Sequence, residues 1–188
     1  MKKKFRITYN APVILTFIFI CLIVTILNYI TSGTSNRVAF MTYHSVLTSP
    51  MTYVRFVTYV FGHGSWEHFI GNSSYLLLLG PVLEEKYGSI KLLEVMGITT
   101  IVTSVIHYIC FPYAALCGAS GIVFAFILLI SFTDFKEGEI PLTFILVAVL
   151  FLGQQVGEGI FVKDNVSQFA HILGGITGGV SGYLLNKK

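Results

Sequence analysis

Charged residues leave long gaps in this chain, and apolar side chains fill the gaps. No Asp, Glu, Lys or Arg occurs at positions 7–36, 69–83, 95–133, 140–157 or 165–186. A helix that crosses lipid needs about 20 mostly apolar residues, so the window from Val95 holds two, divided at Pro112 and Cys117-Gly118-Ala119. The pattern predicts six helices, over residues 12–30, 66–83, 92–110, 118–132, 141–157 and 168–185. Backbone groups in lipid need internal partners, and apolar runs of this length suit helices rather than barrel strands.

Composition agrees with lipid as the solvent. Only 11% of the 188 residues are charged and mean hydropathy is +0.78, where a soluble domain carries roughly 25% charged residues. That excludes a cytosolic enzyme, a disordered protein and a nucleic-acid binder. The formal charge of +3 is explained by topology. Lys2, Lys3, Lys4, Arg6, Lys86, Lys91, Lys136, Lys187 and Lys188 fall on one side of the six helices, and only Arg37, Arg55 and Lys163 on the other. Cytoplasmic flanks hold the excess of Lys and Arg, so both termini are expected in the cytoplasm. The basic start and the apolar run after it imitate a signal peptide, but no clear small-x-small cleavage site follows Ile30. The expectation is an all-α, six-span membrane protein forming a single domain over residues 1–188, with no soluble appendage. Residues 31–65 are read as one long outer loop, partly seated in the membrane interface. Cys21, Cys110 and Cys117 are odd in number and are read as free thiols, a Cys110–Cys117 bridge being the alternative.

Polar residues inside helices are costly in lipid and point to function. Counted from the inner charges, Ser120 lies 14 residues from Asp134, His171 16 from Lys187, His68 16 from Glu84 and Asn72 12 from Glu84. At about 1.5 Å per residue these sit roughly 18–24 Å up a core of about 30 Å, a level that His107 also reaches. Local sequence separates them further. Ser120 stands in Gly118-Ala119-Ser120-Gly121 at the start of a helix, where unpaired backbone N–H groups suit a developing oxyanion. The bland alternative is a capping serine beside packing glycines. His68 and Asn72 share a helix face and equally suit an interhelical hydrogen-bonding pair. Ala170, Gly174, Gly178 and Gly182 form a small-residue stripe for close helix packing, widened by Gly175 and Gly179. His171 borders that seam, where a neutral imidazole can serve as a general base.

These fragments together resemble the rhomboid intramembrane serine proteases. Arg55, then His63-Gly-Ser-Trp-Glu-His68-Phe-Ile-Gly-Asn72, Gly80-Pro-Val-Leu-Glu84-Glu-Lys-Tyr-Gly88, Gly118-Ala119-Ser120-Gly121 and Ala170-His171-x2-Gly174-x3-Gly178 follow the family's order. The resemblance implies a six-helix fold and a Ser120–His171 dyad without an acidic third member. It implies an oxyanion site from His68, Asn72 and the Ser120 backbone N–H. Arg55, His63 and Glu84 would be structural, Gly118, Gly121, Gly174 and Gly178 would support the site, and residues 158–167 would form a mobile cap. It further implies single-pass transmembrane substrates, cut near the outer face of a bacterial-type plasma membrane, with no cofactor and no metal. Two positions depart from the family. Phe124 stands where a Tyr is common beneath the catalytic imidazole, and Val54 stands before Arg55 where an aromatic is common.

Three other classes stay open. A catalytically silent relative that binds membrane clients would typically lack the serine or the histidine, and this chain has both. A transporter would want ionisable groups along a continuous path. A metal site from His63, His68 and His171 has no His-Glu-x-x-His motif and few carboxylates to support it.

Overall fold

The computed structural model describes residues 5–133, 139–161 and 165–187. Among these the chain is all-helical: α1 (Pro12–Ile30), α2 (Thr34–Ala39), α3 (Pro50–Thr58), a 3-10 turn (Tyr59–Phe61), α4 (Trp66–Tyr87), α5 (Ser89–Cys110), α6 (Ser120–Ile130), α7 (Leu142–Phe161) and α8 (Asn165–Asn186).

The arrangement is built around α6. Ile122, Val123, Ala125, Phe126, Leu128 and Leu129 are all buried, which is how a helix that is apolar all round must sit. Against it runs α8, whose small residues let the two backbones meet. A Cβ at Gly174 would lie 2.1 Å from the Gly121 carbonyl oxygen, and one at Gly178 2.1 Å from that of Ala125. Only glycine permits this approach. α4 and α5 pack on α6 from other sides, and α1 packs on α4, where Gly80 meets the Ile14 side chain.

The N-terminus of α1 is held by α4. Pro12 starts the helix, and the Glu84 carboxylate accepts from Val13 N at 3.0 Å and Ile14 N at 3.3 Å, while Ser89 Oγ donates to it at 2.7 Å. An anion at a helix N-terminus satisfies orphan N–H groups and the macrodipole together. This explains one departure from the expected boundaries. The sequence pattern ends the second helix at Leu83, before the charges Glu84-Glu85-Lys86; α4 instead runs on to Tyr87, with Glu84 turned inward to cap α1.

The fourth predicted helix is shorter than 118–132. Gly118 has φ +120°, outside helical space, so α6 starts at Ser120 and ends at Ile130. Its 11 residues rise only about 16 Å. The non-helical approach from Phe111 is tied down by the segment between α1 and α4. Thr42 N donates to Leu116 O at 2.9 Å, Leu116 N to Thr42 O at 2.8 Å, and Gly118 N to Tyr59 O at 3.0 Å. Residues 31–65 are therefore not one irregular loop: they hold α2, α3 and the 3-10 turn, and part of them supplies backbone partners for the entry to α6. The expected cap at 158–167 is also largely helical, with α7 reaching Phe161 and α8 starting at Asn165; residues 162–164 lie outside the described residues.

Taken singly, α1 and α5 are the described helices long and apolar enough to cross a membrane. The 22-residue α4 and α8 read as less apolar because they carry the site's polar residues and the glycine stripe.

Candidate active site

Where α6 begins, an open cleft of about 470 Å³ is lined by Ser120, His171, His68, Asn72, Phe124, Gly71, Tyr75 and Cys117, among others. The Ser120 hydroxyl, the His68 and His171 imidazoles and the Asn72 carboxamide, carried by α6, α4 and α8, thus share one cavity. Arg55, His63, Glu84, Gly174 and Gly178 do not line it.

The serine is placed by its own segment. Ser120 is the first residue of α6, and the first bond into that helix is Val123 N to Ala119 O at 3.0 Å. The N–H groups of Ser120, Gly121 and Ile122 therefore have no partner within the helix, as at any helix start. Gly118 brings this turn against α4: a Cβ there would stand 2.5 Å from Cε1 and 2.7 Å from Nε2 of His68, and 3.6 Å from Asn72 Nδ2. Conformation and close approach both require glycine at 118. At Gly121 a Cβ would be 3.6 Å from the Ala170 carbonyl oxygen, so the residues adjoining Ser120 and His171 face each other across the α6–α8 seam.

His171 is held from two directions. Its ring stacks on Phe124, with centroids 4.3 Å apart and planes 6° apart, four residues and about one helical turn after Ser120. Its Nδ1 lies 2.6 Å from Oε1 of Gln155 on α7. Phe124 in turn meets Phe151 of α7 edge-on.

Asn72 is buried, and its Nδ2 donates to His63 Nε2 at 3.1 Å, while His63 Nδ1 donates to Phe61 O at 3.2 Å. These roles fix one tautomer. His63 also meets His68 edge-on at 5.0 Å. Burial, with His68 adding to it, lowers the His63 pKa to about 4, so the ring is neutral at pH 7. With both nitrogens engaged, His63 has no lone pair to offer a metal, which removes it from the metal set considered above. Burial pushes the Cys117 thiol up to about 11; it stays protonated and is a poor nucleophile.

The remaining expected residues lie away from the cleft. Arg55 donates to Tyr43 Oη at 2.7 Å and Ser45 Oγ at 2.9 Å and sits 4.3 Å from the Tyr43 ring centroid, holding the segment before α3. Val54 is exposed on α3. His107 is buried on α5, where its Nε2 donates to Ala114 O at 3.1 Å. Cys21, Cys110 and Cys117 are free thiols.

A rhomboid-domain family model matches residues 50–188. The chain belongs to the rhomboid family. It is 32% identical over 142 residues to rhomboid-related protein 1 of Caenorhabditis elegans, covering 70% of this chain and 39% of that protein. Rhomboid-related protein 2 of Mus musculus is 30% identical over 159 residues, 73% of this chain and 52% of its own. Rhomboid-like protein 11, chloroplastic, of Arabidopsis thaliana is 28% identical over 155 residues, with 71% and 52% covered. This rhomboid spans about half the length of these relatives or less. Membership makes it an integral membrane protein.

Among the polar residues that sequence reasoning missed in this rhomboid are Gln155, Tyr43 and Ser45. Gln155 lies in a window chosen for having no charge, and an uncharged amide passed through that filter. Tyr43 and Ser45 were part of a segment read as loop, so nothing in the pattern attached them to Arg55.

Proposed function

We propose that this rhomboid is an intramembrane serine endopeptidase that cuts single-pass transmembrane proteins near the outer face of the membrane. Ser120 Oγ attacks the scissile carbonyl; His171 takes its proton and later protonates the leaving amine. The oxyanion is received by the Ser120 N–H, by Asn72 Nδ2 and by His68. In this reading the chain crosses six times, through α1 and α4–α8, with both termini in the cytoplasm on the side of the nine Lys and Arg residues, in a bacterial-type plasma membrane and within a single domain.

The observation that carries this reading is the common cleft of Ser120, His171, His68 and Asn72, with the His171 ring laid on Phe124 one turn after the serine. The short α6 supports it. A helix rising about 16 Å crosses a core of about 30 Å only together with the non-helical segment that leads into it, so its N-terminus opens below the surface, where water for hydrolysis enters through the cleft. An unwound substrate strand is required, because a peptide bond still inside a helix cannot meet the nucleophile.

The test is labelling of the detergent-solubilised protein with a fluorophosphonate probe. The wild type should label and Ser120→Ala should not. Labelling that persists in Ser120→Ala removes the nucleophile assignment; a wild type that folds, binds a transmembrane client and never labels is instead a catalytically silent client-binding rhomboid.

A further inference from the structure

We infer that Gln155 is the positioning residue of the catalytic base: its Oε1 accepts the Nδ1 proton of His171 and so holds the imidazole in the tautomer whose Nε2 lone pair serves Ser120. The inference rests on the reading of Ser120 and His171 as nucleophile and base, and it gives the pair a neutral third member on a different helix.

The chemistry leaves little freedom. A side-chain amide oxygen only accepts, and at 2.6 Å from His171 Nδ1 it requires that nitrogen to carry the hydrogen. A neutral imidazole has one N–H, so Nε2 is then the basic nitrogen. Phe124 cannot make this choice. A phenyl face stacked at 4.3 Å sets the plane of the imidazole but has no polar atom with which to select a tautomer or oppose an in-plane flip. Gln155 is 5% exposed, so water does not compete for the bond. Its neighbour Gln154 is exposed; the two consecutive glutamines are not equivalent, and it is the inward one whose Oε1 lies against His171 Nδ1.

An amide also differs from the carboxylate of a three-residue triad. It orients the ring without adding negative charge beside the imidazolium that forms during turnover. Loss of Gln155 should therefore cost less than the roughly 10⁴-fold that follows when a triad histidine is forced into the wrong tautomer.

The experiment uses the full chain in detergent, with ring-¹⁵N-labelled histidine and a model transmembrane substrate. In the wild type, the His171 resonances, assigned with His171→Asn, should report a protonated Nδ1. Gln155→Leu should lose that signature and lower kcat on the order of 10- to 100-fold with KM little changed. Gln155→Asn, one methylene too short to reach, should behave like Gln155→Leu. Gln155→Glu keeps an acceptor at the same reach and should recover part of the rate, and Gln154→Leu should retain wild-type kcat. A protonated Nε2 in the wild type, or Gln155→Leu that keeps both tautomer and kcat, overturns the inference. Failure of the dyad reading looks different: the wild type would not label with fluorophosphonate while the Nδ1 signature still depended on Gln155.

Discussion

One of the tightest backbone approaches among the described residues lies three residues after His171, and adding a single methyl there should move Ser120 away from that histidine. In Gly174→Ala the new Cβ falls 2.1 Å from the Gly121 carbonyl oxygen, 2.8 Å from its carbonyl carbon and 2.9 Å from its Cα. All three are backbone atoms, so no side chain can rotate away. Real Cβ contacts essentially never fall below 3.0 Å, so α6 and α8 must part by about 0.9 Å at that level. Overpacking of this kind costs typically 1–3 kcal/mol and at times more. The functional loss should be larger than the stability loss suggests, because Ser120 adjoins Gly121 and His171 lies three residues before Gly174, on opposite sides of the widened seam. A misplacement of about 1 Å can cost on the order of 10²-fold in rate. The assay is kcat on a transmembrane substrate, normalised to folded protein, beside thermal unfolding in the same detergent. Gly182→Ala is the comparison: its Cβ would meet the Phe132 ring, 2.5 Å from Cδ2, at the far end of the seam from the cleft. It should lower stability while leaving kcat per folded molecule near wild type. If Gly174→Ala is as stable and as active as the wild type, the packing argument fails; if Gly182→Ala loses kcat as severely as Gly174→Ala, the loss does not come from local separation of Ser120 and His171.

Asn72→Ala should lower turnover on the order of 10- to 1000-fold if its amide is an oxyanion donor, with binding of an uncleaved transmembrane client retained; unchanged turnover with lowered stability would make Asn72 only the partner of His63. Phe124→Tyr should keep the stacked ring and shift turnover only modestly, whereas Phe124→Ala should lower turnover beyond any loss of folded protein, and full activity in Phe124→Ala would refute the platform role. His63, with its pKa lowered from 6.5 to about 4, is neutral in the fold while the unfolded chain binds a proton below about pH 6.5. Its contribution to stability is thus complete above pH 6.5 and declines as the pH falls towards 4. Melting temperature against pH should decline less over this window in His63→Gln than in the wild type, and identical slopes would show that His63 does not titrate as argued.

Much of the fold was legible because lipid imposes a coarse rule. Stretches without charge had to be helical, and each of the six predicted helices has a counterpart among the described helices, though α4, α5 and α7 run past the charges that were to bound them. The rule failed where a charge is used inside the protein. Glu84 looked like the end of a helix because a carboxylate normally marks water, yet here it meets the Val13 and Ile14 N–H groups, an acceptor's role that hydropathy cannot distinguish from exposure. It failed again at residues 31–65, where α3 shows a mixed surface: Thr52 and Arg55 face inward while Met51, Tyr53, Val54 and Val57 are exposed. A charge map alone carries no signal for such a helix.

The candidate site was legible for a different reason. Ser120, His68, Asn72 and His171 are polar groups in apolar surroundings, and their counted depths agreed because the residues do line one cleft. Depth says nothing of direction around a helix axis, which is why His107 reached the same level and yet sits elsewhere, bonded to Ala114. Direction comes from packing: Gly118 turns the serine segment towards His68, and the glycines of α8 press that helix onto α6. Those glycines are visible in sequence as a stripe, but the residue each one meets is not. The same limit hid Gln155. Periodicity places it on a helix, and only the fold shows that this helix lies beside α8 at the height of His171. A polar residue whose partner is on another element is therefore recognised by type before structure and by role only after it, and the His171–Gln155 bond is the case in this rhomboid where that difference bears most directly on the chemistry.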